Sequence, residues 1–349
     1  MKTEAAILVE PGKPLQVEEI AIPKLKPGQI LAEIAYSGVC HTQLLEQQGY
    51  RGTDPWCPHC LGHEATGQVI DVAPDVSKVK AGDVVVLSWL KGEGADVTGT
   101  VYDWNGRSVN AGPVTTFAQK SVVSENRAIL LPAGLNLLHS VMLGCAAPTG
   151  FGSVLNVCRA RPGDGIVIFG TGGIGLCAVL AAASVGCDPI VAVDTNLSRL
   201  NIAKLFGATH ALDAGNEGLD DHLISAKKGG FDFAIEATGR PEVMARAFAS
   251  VRDRGGKCVV IGNARHGEKL VLDPTELNKG KQLLGTWGGD TDLDRDVERY
   301  GQIISDNEAN FEAVFFEKFG LRDINQALEE LVVGSVGRPV IDMSIKSMV

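Results

Sequence analysis

Residues 164–194 read DGIVIFGTGGIGLCAVLAAASVGCDPIVAVD, and their order decides the fold. A β-branched run, Ile166-Val167-Ile168-Phe169, leads directly into Gly170-Thr171-Gly172-Gly173-Ile174-Gly175 and then into a small-residue apolar stretch ending near Gly186. That order is strand, tight turn, helix. Gly170 permits the turn, Gly172 lets the backbone approach a pyrophosphate, and Gly175 lets the helix pack on the strand. The helix N-terminus, with Thr171, Gly173 and Ile174 around it, then faces the phosphates. A second strand ends at Asp194, nineteen residues after Gly175. There a carboxylate accepts hydrogen bonds from the adenosine ribose and repels a 2′-phosphate, so NAD is expected rather than NADP. Arg199 reads as a cap on that ribose, as a partner for a phosphate, which would temper that preference, or as a solvated helix charge.

The alternation continues outward. Helix-like stretches at 197–206, 219–227 and 241–252 separate strand-like runs at 210–213, 231–236, 257–261 and 283–286, which predicts a doubly wound parallel sheet. Gly262 and Asn263, at the end of a parallel strand, fall where the nicotinamide half of a dinucleotide is expected. Upstream, residues 5–85 are short β-branched runs broken by Pro and Gly, the pattern of an antiparallel β domain. Residues 88–113 read as a loop or hairpin excursion with a turn at Asn105-Gly106. The tail carries helical patterns at 293–305 and 324–333 and a last strand at 338–343, so it is expected to return to the β domain. The fold class is α/β. Residues 148–284 form the dinucleotide domain, and residues 1–147 with 285–349 form a split, mainly antiparallel β domain.

The 349 residues carry 32 Lys+Arg against 42 Asp+Glu, a formal charge of −10. No basic footprint for nucleic acid or an anionic membrane is present. The N-terminal MKTEAAILVEPGKPLQ lacks the basic start and apolar core of a signal peptide, and the longest apolar run, 174–185, is too short to span a bilayer. Eight scattered cysteines in such a chain read as reduced thiols, core fillers or metal ligands, and a cytoplasmic protein is expected.

Three stretches carry candidate ligands: Cys40 in SGVCHT, His63 with Glu64 in LGHEATG, and Cys145 in MLGCAAPTG. A catalytic zinc uses three protein ligands and an open position, which Cys40, His63 and Cys145 would supply. Together with VKAGDVVV, GCAAPTGFGSVLNV, IVIFGTGGIGLCAV, FDFAIEATG and GGKCVVIG, these motifs resemble the zinc-containing medium-chain alcohol dehydrogenase family over essentially the whole length. The resemblance implies a GroES-like catalytic domain joined to a Rossmann domain. It implies Cys40, His63 and Cys145 as the catalytic zinc ligands, and Glu64 as a neighbouring carboxylate able to exchange onto the metal. Thr42 is implied as the hydroxyl that passes the alcohol proton outward, and His41 as a contact near the cofactor pyrophosphate. Thr149, Asp194 and Arg199 are implied as further cofactor contacts, and Trp89 as a wall of the substrate pocket. The expected activity is hydride transfer between NAD and a primary or secondary alcohol, polyols and sugar-derived alcohols included. A homodimer or homotetramer formed by edge pairing of the Rossmann sheets is implied as well.

The departures are specific. Residues 88–113 hold none of the four cysteines that a structural zinc needs, so one catalytic zinc per chain is expected and no structural zinc. Cys57-Pro58-His59-Cys60 reads as two reduced loop thiols beside the site, the other readings being an auxiliary metal or redox pair, or a modified pocket wall. His59, His139, His210, His222 and His266 have no partner spacing and read as structural or exposed. Gln43 stands where many relatives carry an aspartate that orients the zinc histidine, and is expected to accept from the imidazole. Leu45 replaces a histidine at the outer end of the proton relay. Arg295 is expected to compensate for the missing basic residue after Gly288-Gly289. Two rivals stay open: a metal-free quinone or enone reductase of the same superfamily, and a non-catalytic NAD-binding protein.

Overall fold

Strand Ile166–Phe169 is buried throughout and lies inside a six-stranded parallel sheet, because an all-apolar run needs both faces covered. The structure is a computed structural model that describes residues 1–314, 316–333 and 338–345. These residues form two units, Met1–Cys145 with Asp292–Val349, and Ala146–Thr291.

In the second unit the strand order is His210–Asp213, Ile190–Asp194, Ile166–Phe169, Phe233–Glu236, Lys257–Val260, Gln282–Gly285. The direction of winding reverses between Ile166–Phe169 and Phe233–Glu236, which opens a crevice at their C-terminal ends. Phe169 pairs with Glu236 in register, so the loops that follow both strands start side by side. Helix Gly173–Val185 is apolar on all sides and buried from Gly175 to Ala182, as its small residues allow.

The first unit holds a closed barrel, made by Lys2–Leu8, Gln16–Ala21, Thr100–Trp104, Arg107–Ala111 and His59–Cys60. Beside it runs a seven-stranded sheet in which Glu64–Val72 and Gln29–Gly38 are central and Arg338–Asp342 pairs antiparallel with Gln29–Gly38. The excursion at 88–113 is a hairpin of Thr100–Trp104 with Arg107–Ala111. Its turn residues Asn105 and Gly106 both have positive φ, 53° and 87°, the conformation an Asn-Gly turn favours. The expected helices at 293–305 and 324–333 are found as Leu293–Ser305 and Ile324–Val333. Helix Glu308–Val314 and strand Phe316–Phe319 have too little periodic pattern to stand out in the sequence. Among the described residues no single helix is long and apolar enough to cross a membrane.

Candidate active site

Three unrelated pieces of backbone bring Cys40, His63 and Cys145 together. Cys40 caps the short helix His41–Gln47, His63 immediately precedes strand Glu64–Val72, and Cys145 ends the 3-10 turn Val141–Gly144. Their ligand atoms all lie within 4.8 Å of one another, with Nε2 of His63 3.2 Å from Sγ of Cys145. Two glycines make this possible. A Cβ at Gly144 would sit 2.6 Å from the Glu64 Cβ and the Leu87 carbonyl, so only glycine lets the Cys145 turn press on the Glu64 strand. A Cβ at Gly38 would run into the Glu64 carboxylate. Ser88 then fastens the turn by donating to the Gly144 carbonyl at 2.7 Å.

The electrostatics suit a cation. Cys40 is held well below the ordinary thiol range because it accepts a hydrogen bond from Cys145, which outweighs its burial, and because Arg338 faces it; that hydrogen bond and burial drive Cys145 well above that range. Burial pushes Glu64 up. Its Oε1 accepts from Arg338 Nε at 2.8 Å and from Nη2, whereas its buried Oε2 has no hydrogen-bond partner among the described residues. Two buried cysteine sulfurs, an imidazole nitrogen beside them and an orphaned carboxylate oxygen form a donor set that fits zinc. Gln43 faces His63 Nδ1 as expected, but with its amide nitrogen. The amide oxygen is taken by the Cys40 N–H at 2.9 Å, which corrects the expectation that Gln43 accepts from the ring. Thr42 and His41 open the helix, His41 exposed and Thr42 half-buried, and Leu45 is buried. Ser88 pairs with Glu64 and ends the strand Val84–Ser88, and Trp89 lies in the bend that follows; it packs on the Val79, Val85 and Leu87 cluster, and its carbonyl accepts from Arg127.

In the other unit the glycine loop has the shape its sequence demands. Gly170 has φ 87°, and a Cβ on Gly175 would collide with the Gly170 carbonyl. A Cβ on Gly172, by contrast, would meet nothing within 4 Å. That open cradle, at the cap of a thirteen-residue helix led by Gly173 and Ile174, fits a pyrophosphate. Asp194 is buried, and its carboxylate accepts from Thr171 N (2.6 Å), Thr171 Oγ1 (2.9 Å) and Asn196 N (2.9 Å), so it also fixes the glycine loop. Arg199 is half-buried on the following helix. Thr149 lies buried in helix Ala146–Gly152, while Gly262 and Asn263 follow strand Lys257–Val260.

Two residues to which the sequence reading gave no role matter. Arg338, in the tail, carries no local spacing signal and joins the site only through the pairing of Arg338–Asp342 with Gln29–Gly38. Glu236 ends its strand fully buried and accepts from Thr238 N (2.7 Å) and Gly239 N (3.0 Å), shaping the loop beside the glycine turn; its place inside the FDFAIEATG motif was the visible signal. Arg295 is held by Asp296 in a two-point pair of 2.9 and 3.0 Å within its own helix. His59 has a partner after all, Asp54, at 2.9 Å, and His139 is paired with Glu308.

Comparison with known proteins agrees. Residues 26–133 match the family model of the alcohol dehydrogenase GroES-like domain, and residues 173–305 that of zinc-binding dehydrogenases. The chain is 30% identical to S-(hydroxymethyl)glutathione dehydrogenase of Escherichia coli O157:H7, over 98% of this chain and 100% of that one. An alcohol dehydrogenase zinc-binding domain protein from Burkholderia ambifaria superimposes with a TM-score of 0.90 at 28% identity, covering 99% of this chain and 100% of that one. Benzyl alcohol dehydrogenase from Acinetobacter calcoaceticus does so with 0.89 at 26% identity and the same coverage. With its ligand triad, its orphaned carboxylate and its open glycine cradle, the chain belongs to the zinc-containing alcohol dehydrogenase family of medium-chain dehydrogenases.

Proposed function

We propose that this enzyme transfers hydride between NAD and a small primary or secondary alcohol, polyols and sugar-derived alcohols included, at one catalytic zinc held by Cys40, His63 and Cys145. The observation that carries the reading is the convergence of those three ligand atoms beside the unpartnered Oε2 of Glu64. Bound there, zinc supplies Lewis acidity that makes an alcohol hydroxyl acidic near neutral pH, and the nicotinamide supplies the hydride acceptor. The chain's own groups do the rest. Thr42 takes the hydroxyl proton and passes it on without ionising, and His41 or water carries it outward, because Leu45 offers no relay. Gln43 holds the His63 ring. Glu64 is kept in place by Arg338 and is the carboxylate able to exchange onto the metal. Trp89 lines the alcohol pocket.

Gly170, Thr171, Gly172, Gly173, Ile174 and Gly175 cradle the pyrophosphate, Asp194 and Arg199 hold the adenosine ribose, and Thr149, Gly262 and Asn263 contact the rest of the cofactor. A carboxylate at the end of Ile190–Asp194 favours NAD over NADP. The free state of all eight cysteines supports a cytoplasmic setting. Strand Gln282–Gly285, at the edge of the Rossmann sheet, supports assembly into a homodimer or homotetramer by edge pairing.

The test is zinc content together with NAD and NADP reduction over a panel of simple alcohols, polyols and sugar alcohols, before and after chelation. Chelator-sensitive NAD reduction that Cys145→Ser abolishes supports the reading. Reduction of quinones or enones that survives chelation replaces it with the metal-free reductase.

A further inference from the structure

Just ahead of His63 a second ligand set has formed. Asp54, Cys57 and His59 bring a carboxylate oxygen, a thiol and an imidazole nitrogen within 4.8 Å of one another. The loop that carries them is fixed to the barrel hairpin: Asn110 donates from its backbone to the Pro58 carbonyl (2.9 Å) and from its side chain to the Trp56 carbonyl (2.7 Å). Asp54 Oδ1 accepts from the Trp56 amide at 2.9 Å, which turns Oδ2 on His59 Nε2, also at 2.9 Å. The Cys57 thiol turns on the same carboxylate. The side chains of Asp54 and His59 are 17% and 16% exposed, so solvent reaches the cluster without dispersing it. Cys60 takes no part. It points into the barrel core with Ala5, Ile7 and Tyr102, whereas Cys57 packs against the separate cluster around Leu44 and Phe117. The Cys-x-x-Cys spacing is therefore not a redox pair.

We propose that Asp54, Cys57 and His59 form a second metal site, separate from the catalytic centre, that binds zinc and ties the 54–59 loop together. Thiolate, imidazole and carboxylate are the ligand types zinc accepts, and tetrahedral bonds place such atoms about 3.3–3.8 Å apart, so closure takes roughly an ångström of side-chain movement. A nucleophile with its base is a poorer fit, because thiol and imidazole both turn on Asp54 rather than on each other. On binding, the Cys57 S–H bond breaks and its proton goes to solvent. Bonds form from Sγ, an imidazole nitrogen and a carboxylate oxygen to the ion, a water completes the shell, and no group changes oxidation state.

The experiment is zinc stoichiometry by mass spectrometry on the full chain, stripped, reloaded with zinc and desalted, for the wild type, Cys57→Ser, His59→Gln and Cys145→Ser. Two zincs in the wild type, and one in each variant, are expected. Alcohol-dependent NAD reduction in the reloaded Cys57→Ser and His59→Gln chains shows that the zinc they keep is the catalytic one. Reloading the Cys145→Ser chain releases one proton per zinc at neutral pH, from Cys57. One zinc in the wild type that Cys145→Ser removes entirely overturns the proposal, as does a second zinc that persists in both Cys57→Ser and His59→Gln. His59→Gln keeps the test sharp if Cys57→Ser fails to fold, as judged by circular dichroism.

Discussion

Removing the Arg338 guanidinium should destabilise the β domain by an amount that depends on pH in a defined way. Arg338 is 5% exposed and Glu64 not at all, and the two meet 274 positions apart in the chain. In Arg338→Met the aliphatic stem is largely kept, but the Glu64 carboxylate is left buried without its cation. Breaking a buried pair in this way costs about 3–5 kcal/mol. The chain has one escape, which is to protonate Glu64. For a carboxyl of ordinary value 4.5, neutralisation at pH 7 costs about 3.4 kcal/mol, at 1.36 kcal/mol per pH unit, and that caps the penalty. Burial already pushes Glu64 upward, so the sign is that of a raised group: its stabilisation is full below the unfolded value and is lost as pH rises through the folded one. The variant raises that folded value further. Its deficit against the wild type should therefore shrink on acidification, to at most about 1.4 kcal/mol at pH 5.5. Urea unfolding followed by circular dichroism at the two pH values measures this, and at pH 7 the melting point should fall by about 6–14 °C. Glu64→Gln combined with Arg338→Met should recover at least half of the loss, because no charge is then left buried. A deficit under about 1 kcal/mol at pH 7, a deficit that grows on acidification, or a double variant no better than the single would refute the reasoning.

Other outcomes follow from single atoms. Gly172→Ala places a methyl in open space, so stability should change by less than about 1 kcal/mol, while NAD affinity, read by fluorescence titration, should fall about 30-fold through the loss of about 2 kcal/mol of phosphate hydrogen bonding; unchanged affinity would remove the pyrophosphate from that loop. Gln43→Glu keeps the acceptor for the Cys40 amide and replaces the amide nitrogen with a second oxygen against His63 Nδ1, which carries the ring proton once Nε2 ligates zinc, so zinc should bind about tenfold more tightly in chelator competition, whereas Gln43→Ala should weaken it about 10- to 100-fold. Burial pushes the Asp232 carboxyl up, but the Gly165 amide at 2.9 Å, Arg252 at 2.7 Å and Lys227 together outweigh it and hold the group below its ordinary value. Its contribution is present above the unfolded value and lost as pH falls through the folded one, so Asp232→Asn should flatten the acid limb of stability below about pH 4 and lower stability at pH 7.

How much of this was legible depended on how far apart in sequence the cooperating groups lie. The glycine loop is local: the positive φ of Gly170 is a property of its own backbone, and the carbonyl that a Cβ on Gly175 would meet lies five residues away, so the motif, the acid at Asp194 and the alternation of strands and helices could be read directly. The Asn105-Gly106 turn was legible for the same reason. The three residues proposed to hold zinc were legible as motifs, yet their approach rests on Gly38 and Gly144, whose need to be glycine arises only where distant strands cross. Arg338 carried no signal at all, since a lone arginine in the tail acquires its partner only through sheet pairing. Cys57, His59 and Cys60 are neighbours in sequence and still could not be sorted. One residue's difference on a strand sends Cys60 into the barrel core, while the turn of the loop brings Cys57 and His59 to Asp54. Sequence alone determined the elements and the chemistry available, because backbone conformation and residue type are local properties. The tertiary structure decided which charges are buried together, because burial and pairing are properties of what the rest of the chain lays over them.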